Sequence, residues 1–189
     1  MWKTIYTGII AAVFCSFLCS CSTTYSIYSK DLFTGKRLLE KRKYAEAGKH
    51  FQDAVFQIRD SVSLTFMAVA EYKMGNFESA EKWIREAERE KPDMQYLVRT
   101  SGYRAIIYMK RDRTAGMQAL KDYVDCYKQL DPLMTIEKLI EMVKTGNINE
   151  TVMETVIDEQ ITWYETEMEE YLTNNVGFLA NKNRLSIID

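Results

Sequence analysis

A single histidine and two prolines in 189 residues are the first shortages that narrow what this chain can be. One histidine excludes most hydrolase triads and His-rich metal sites, and past the first twenty residues there is no Cys-x-x-Cys pair, no His-Glu-x-x-His and no Gly-x4-Gly-Lys-Ser/Thr phosphate loop. So few prolines, with only eight glycines, leave little to interrupt helices. The chain also has no excess of positive charge. Its net charge is -2, and no Lys/Arg cluster interleaved with aromatics stands out along the sequence, so nothing electrostatic points to nucleic acid.

What is present is a globular composition, 47% apolar and 28% charged, long enough for one core or a short repeat stack. Charge is unevenly spread. From Asp131 onward there are twelve acidic and four basic residues, a balance of -8, which leaves +6 for everything before it.

The first eighteen residues read as an export signal. Lys3 supplies a positive start, and Ile5 to Leu18 form an uncharged apolar stretch shorter than the roughly 20 residues needed to span a membrane. The following Leu18-Cys19-Ser20-Cys21 resembles the lipobox of bacterial lipoproteins, with Cys19 a less usual residue at its position. That resemblance implies removal of residues 1–20 and a covalent lipid on Cys21, which would hold the protein on a membrane. Plain secretion and an uncleaved anchor are the competing readings. Ser22 lacks the aspartate that retains some lipoproteins in the inner membrane, so the expectation is an outer-membrane lipoprotein facing the periplasm. No other cofactor is expected. Residues 21–29 are read as a polar tether, whose eight residues after Cys21 span at most about 29 Å.

Lipidation leaves Cys126 as the one thiol of the mature chain, so no internal disulfide is expected. Its neighbours Leu120, Tyr123, Val124 and Tyr127 recur with helical period, and Cys126 is expected to be buried among them.

A repeat organises the middle of the chain. Tyr44-x-x-Ala47 recurs 33 residues later as Phe77-x-x-Ala80, with Gly35 and Ala68 before them and Phe51, Ala54, Ile84 and Ala87 after. Small residues at those positions let two helices approach closely, and Gly75 with Asn76 suits the end of one helix and the cap of the next. This pattern resembles the tetratricopeptide repeat, which implies an all-α solenoid of helical hairpins over residues 30–130, two copies clear and a third, around Gly102, degenerate. Residues 131–175 are expected to be a helical cap: Asp131-Pro132 opens a helix that Gly146 ends, and Asn147 with Glu150 opens a second. In that last helix Met153, Ile157, Ile161, Tyr164, Met168 and Leu172 form an apolar stripe beside an acidic face. Residues 176–189 form an unassigned tail.

Chemistry is scarce. His50 has no Ser or Cys nearby to activate and reads as a structural residue, and Glu150, Glu154 and Asp158 read as a solvated face rather than a cation site. Neither a catalytic nor a metal site is therefore expected. Trp83 and Trp163 read as packing residues.

In tetratricopeptide modules the first helix of each hairpin lines a groove, and the corresponding positions are Lys36, Leu39, Thr65, Val69, Tyr72, Arg99 and Tyr103. Tyr and Arg are enriched where proteins bind, so Lys36, Tyr72, Arg99 and Tyr103 are the candidate partner contacts, unless the C-terminal helices fold back onto them. The functional expectation is an envelope adaptor for a protein partner, with a self-associating structural subunit as the alternative.

Overall fold

A computed structural model of the chain describes residues 24–91, 93–128 and 135–174, and every regular element among them is helical. Helix α1 covers 24–40, α2 Tyr44–Gln57, α3 Ser61–Lys73, α4 Phe77–Ala87, α5 Leu97–Arg111, α6 Arg113–Tyr127, α7 Ile136–Thr145 and α8 Glu150–Asn174, with a short 3-10 turn at Met94–Tyr96. The signal region, Cys21, Asp131-Pro132 and the tail lie outside the described residues. None of the described helices is long and apolar enough to cross a membrane.

Most neighbouring helices are joined by one to four residues, with longer connections before α5 and α7. The short ones are built from local chemistry. Gly75 follows α3 at φ +83°, a conformation that costs a side chain energy, and Gly146 follows α7 at φ +69°. The matching position after α1, 33 residues before Gly75, is Arg42, held at φ +59°. Asp60 opens α3 by accepting from the Ser63 amide at 2.8 Å, while its other oxygen accepts from the Tyr28 hydroxyl at 2.7 Å. One carboxylate thus caps α3 and docks the start of α1. Asp112 caps α6 through the amides of Thr114 and Ala115.

Small residues set the spacing between helices. A Cβ on Gly35 would stand 2.5 Å from the Phe51 ring, and one on Gly116 would stand 2.4 Å from the Met109 backbone. The second contact belongs to the α5–α6 hairpin, where Gly116 and Ala119 supply the close approach that the degenerate third copy did not advertise. At the centre, α3 buries eleven of its thirteen residues because α2, α4 and α5 cover it. Its Thr65 hydroxyl is satisfied by Thr100 of α5 at 2.9 Å.

Several local expectations change. Residues 24–29, read as tether, are the first turns of α1, because Tyr28 is buried and bonded to Asp60. Cys126 is exposed: Ala119, Leu120, Tyr123, Val124 and Tyr127 take the inward arc of α6, and Cys126 lies just outside it, about 20° beyond Ala119 and near the end of the helix. Asn76 donates to Glu71 at 2.9 Å and gives α4 no side-chain cap. Asn149, rather than Asn147, caps α8 by accepting from the Val152 amide at 3.1 Å. Leu172 is 63% exposed, having run past the end of the surface that buries the other five residues of its stripe.

Candidate functional site

Helix α8 packs on the inner side of the stack, chiefly against α5, the 3-10 turn and α7, and reaches Tyr72 and Lys73 of α3. Helix α8 buries Met153, Val156, Ile157, Ile161, Tyr164 and Met168 to 2% exposure or less. Ile157 sits over Gly102 of α5, where a Cβ would come within 2.5 Å of its Cγ2 atom. Only a glycine lets α8 lie that close. The acidic side of α8 meets a row of hydroxyls and cations on the older part of the fold. Glu154 accepts from the Tyr72 hydroxyl at 2.7 Å and the Lys73 ammonium at 2.6 Å, and Asp158 accepts from the Tyr103 hydroxyl at 2.8 Å and Lys73 at 3.1 Å. Further along, Arg99 grips both oxygens of Glu165 at 2.6 and 3.0 Å and stacks over Phe66.

These contacts fix charge states. Burial pushes the Glu154 pKa upward, but the hydrogen bonds from Lys73 and Tyr72 outweigh it and leave the carboxyl below its usual value. Burial and the Asp158 carboxylate push the Tyr103 hydroxyl well above its usual pKa, so it stays a hydrogen-bond donor. Arg99 is raised despite its burial because Glu165 faces it. The C-terminal acidity noted in the sequence is therefore partly spent inside the molecule, on the basic residues of the first hundred.

Of the four candidate contacts, Tyr72, Arg99 and Tyr103 are all engaged by α8. Lys36 is not: it donates to the Tyr96 hydroxyl at 2.9 Å and lies over the Phe66 and Tyr96 rings. Thr65 and Val69, placed on the groove by the repeat, are fully buried between helices. Glu150 pairs with Lys110 at 2.6 Å, so the three acids of α8 considered for a cation each face a partner from the hairpins.

Searches among known protein families, curated proteins and solved structures give no significant match. The reading of the site therefore rests on its own geometry.

Two other features bear on it. A cleft of about 450 Å³ remains beside α8, lined by Lys36, Leu39 and Glu40 of α1, Phe66 of α3, Gln95, Arg99 of α5, and Thr162, Glu165, Thr166 and Glu169 of α8. Elsewhere, Asp31, His50 and Asp53 bring their ligand atoms within 4.8 Å of one another, with the His50 Nδ1 to Asp31 contact at 2.9 Å. Sequence reasoning treated His50 alone and missed this group, because Asp31 comes from another helix. Three ligands fall one short of a closed structural zinc set, and the contact as it stands ties α1 to α2. Trp83 and Trp163 are both partly buried against the core.

Proposed function

We propose that this chain is a lipid-anchored envelope adaptor of the tetratricopeptide type, held by Cys21 on the periplasmic side of the outer membrane, which binds a protein partner at the part of its inner face that α8 leaves open. The repeat spacing, the neighbouring helical pairs and the glycine-mediated close approaches support the fold assignment. The observation that carries the binding site is the cleft between α1 and the C-terminal half of α8.

Energetics favour this cleft over a groove emptied by release of α8. Exposing six buried apolar side chains at about 1.5–3 kcal/mol each costs roughly 9–18 kcal/mol. That is comparable to the whole stability of an ordinary domain, about 5–15 kcal/mol. A partner would have to re-bury nearly all of that apolar surface to take the place of α8. In the cleft, by contrast, the partly exposed Leu39 shares the lining with a cation, Lys36, and the carboxylates Glu40 and Glu169, and the buried Phe66 ring lies beneath. Such a mixed lining suits a peptide segment with one apolar anchor flanked by charges.

Photocrosslinking side chains at Leu39 and Glu169, with Glu78 on the far side as control, test this in the producing cell. One defined partner captured at both cleft positions and absent at Glu78 is the expected result. No partner at either cleft position removes the reading. Only self-crosslinks would favour the second one, a self-associating subunit, to which the exposed Leu172 at the end of α8 lends its one observation.

A further inference from the structure

Six large apolar side chains are exposed among the described residues: Tyr25, Ile27, Phe33, Phe56, Met94 and Leu172. Four of them belong to the first hairpin. A soluble domain scatters such residues singly, and their collection on one element marks a contact surface. Helical phase sharpens the picture. At 100° per residue, Ile27, Lys30, Phe33 and Arg37 follow one another at intervals of three or four on the side of α1 opposite its buried Tyr28 and Gly35, Lys41 comes next in the turn after it, and all five are exposed. Apolar and basic residues share that stripe. On α2, Phe56 is 86% exposed, and Lys49, two turns earlier, is exposed as well, beside the exposed acids Glu46 and Asp53, so the positive excess belongs to α1 and the turn after it.

Charge decides what this flank meets. Over residues 24–43 the exposed charged residues are Lys30, Arg37, Lys41, Arg42 and Lys43 against the single acid Glu40. Lysine is depleted at the cores of protein interfaces, whereas lysine and arginine beside aromatic side chains are the composition of helices that lie on anionic membranes. Position agrees. Residue 24 follows Cys21 by three residues, which even fully extended span at most about 11 Å. A lipid on Cys21 therefore confines the start of α1 to the headgroup region.

We propose that the outer flank of the first hairpin rests on an anionic lipid surface, with Ile27, Phe33 and Phe56 entering the interface and Lys30, Arg37, Lys41 and Lys49 facing lipid headgroups. This rests on the lipid-anchor reading of Cys21 and adds an orientation to it: the protein lies along the membrane on one side. The cleft between α1 and α8 opens from the inner face and stays accessible from the periplasm.

The test uses the intact chain purified from membranes and reconstituted in phosphatidylcholine–phosphatidylglycerol vesicles. In a Cys126→Ser background, an environment-sensitive fluorophore is placed at Phe33→Cys, Phe56→Cys or Glu78→Cys, and nitroxide-bearing lipid serves as quencher. Vesicle flotation and the mass of the purified chain report the anchor independently. The expected result is flotation with at least about twofold quenching at 33 and 56 and none at 78. Flotation with no quenching at 33 and 56, or equal quenching at all three, overturns the orientation and leaves the anchor standing; a protein partner on this flank would give the first of these. A chain that carries no acyl group and fails to float overturns the anchor and the orientation together.

Discussion

If α8 is a core element seated on α5, the Gly102–Ile157 contact must behave as one unit. In an exposed helix Gly→Ala gains about 0.5–1 kcal/mol. At position 102 the added methyl would stand 2.5 Å from Ile157 Cγ2, a contact close to the α8 backbone that cannot swing away. Overpacking of this kind costs about 1–3 kcal/mol, so Gly102→Ala is expected to destabilise by roughly 1–2 kcal/mol net. Ile157→Ala alone removes a fully buried side chain and is expected to cost about 2–5 kcal/mol. In the double variant the new methyl enters the space that Ile157 vacated. The combined loss is then smaller than the sum by at least about 1 kcal/mol. Equilibrium urea unfolding of the detergent-extracted protein, followed by far-UV circular dichroism, measures all three differences. Additivity within about 0.5 kcal/mol would refute the seating of α8 on α5, and with it the argument that α8 is a fixed part of the inner face.

Three further outcomes follow from named contacts. Arg99→Ala strands Glu165, whose side chain is only 14% exposed, and is expected to cost about 3–5 kcal/mol, with Arg99→Leu/Glu165→Leu recovering most of it in the same unfolding assay. The Glu154 pKa is lowered on folding, so the stability it contributes is complete above its usual value of 4.5 and disappears as pH falls through the lowered value. Glu154→Gln should therefore flatten the acid side of the stability profile below about pH 4.5. Finally, Arg42 occupies the left-handed position that Gly75 fills in the next hairpin, and Arg42→Gly is expected to raise stability by about 0.5–1 kcal/mol while Arg42→Val lowers it; thermal unfolding decides.

The helical class and the first two hairpins were legible because small residues at fixed spacing have one economical use, close helix packing. The third hairpin was obscured because its approach uses Gly116 against the Met109 backbone, a contact that leaves no aromatic partner in the sequence. The buried stripe of α8 was legible from its period as far as Met168, but period alone does not reveal where the covering surface stops, which is why Leu172 reads as core and is exposed. Cys126 illustrates a related failure: neighbours on an apolar arc do not place a residue on that arc when its own phase lies outside. The candidate contacts were found as residues, with the choice between a partner and the C-terminal helices left open, and α8 engages three of the four. Nothing in a groove position tells whether its partner is another chain or a helix 82 residues further along this one, as for Tyr72 and Glu154. The basic flank of α1 was invisible because its charges and aromatics are separated by inward-facing residues and align only on the helix.

The long reach of α8 also imposes an order of events. Helices α2 to α6 meet chiefly their immediate neighbours, so each hairpin closes a short loop and can form early. The hydrogen bonds of α8 to the hairpins join residues from 37 to 85 positions apart, and the entropic cost of closing a loop rises with its length. Docking of α8 is therefore the last step, and until it occurs Tyr72, Arg99, Tyr103 and the apolar ground beneath Ile157 stand open to water. The folding chain passes through a stage in which its inner face is adhesive, and the docking of the acidic helix α8 is what ends it.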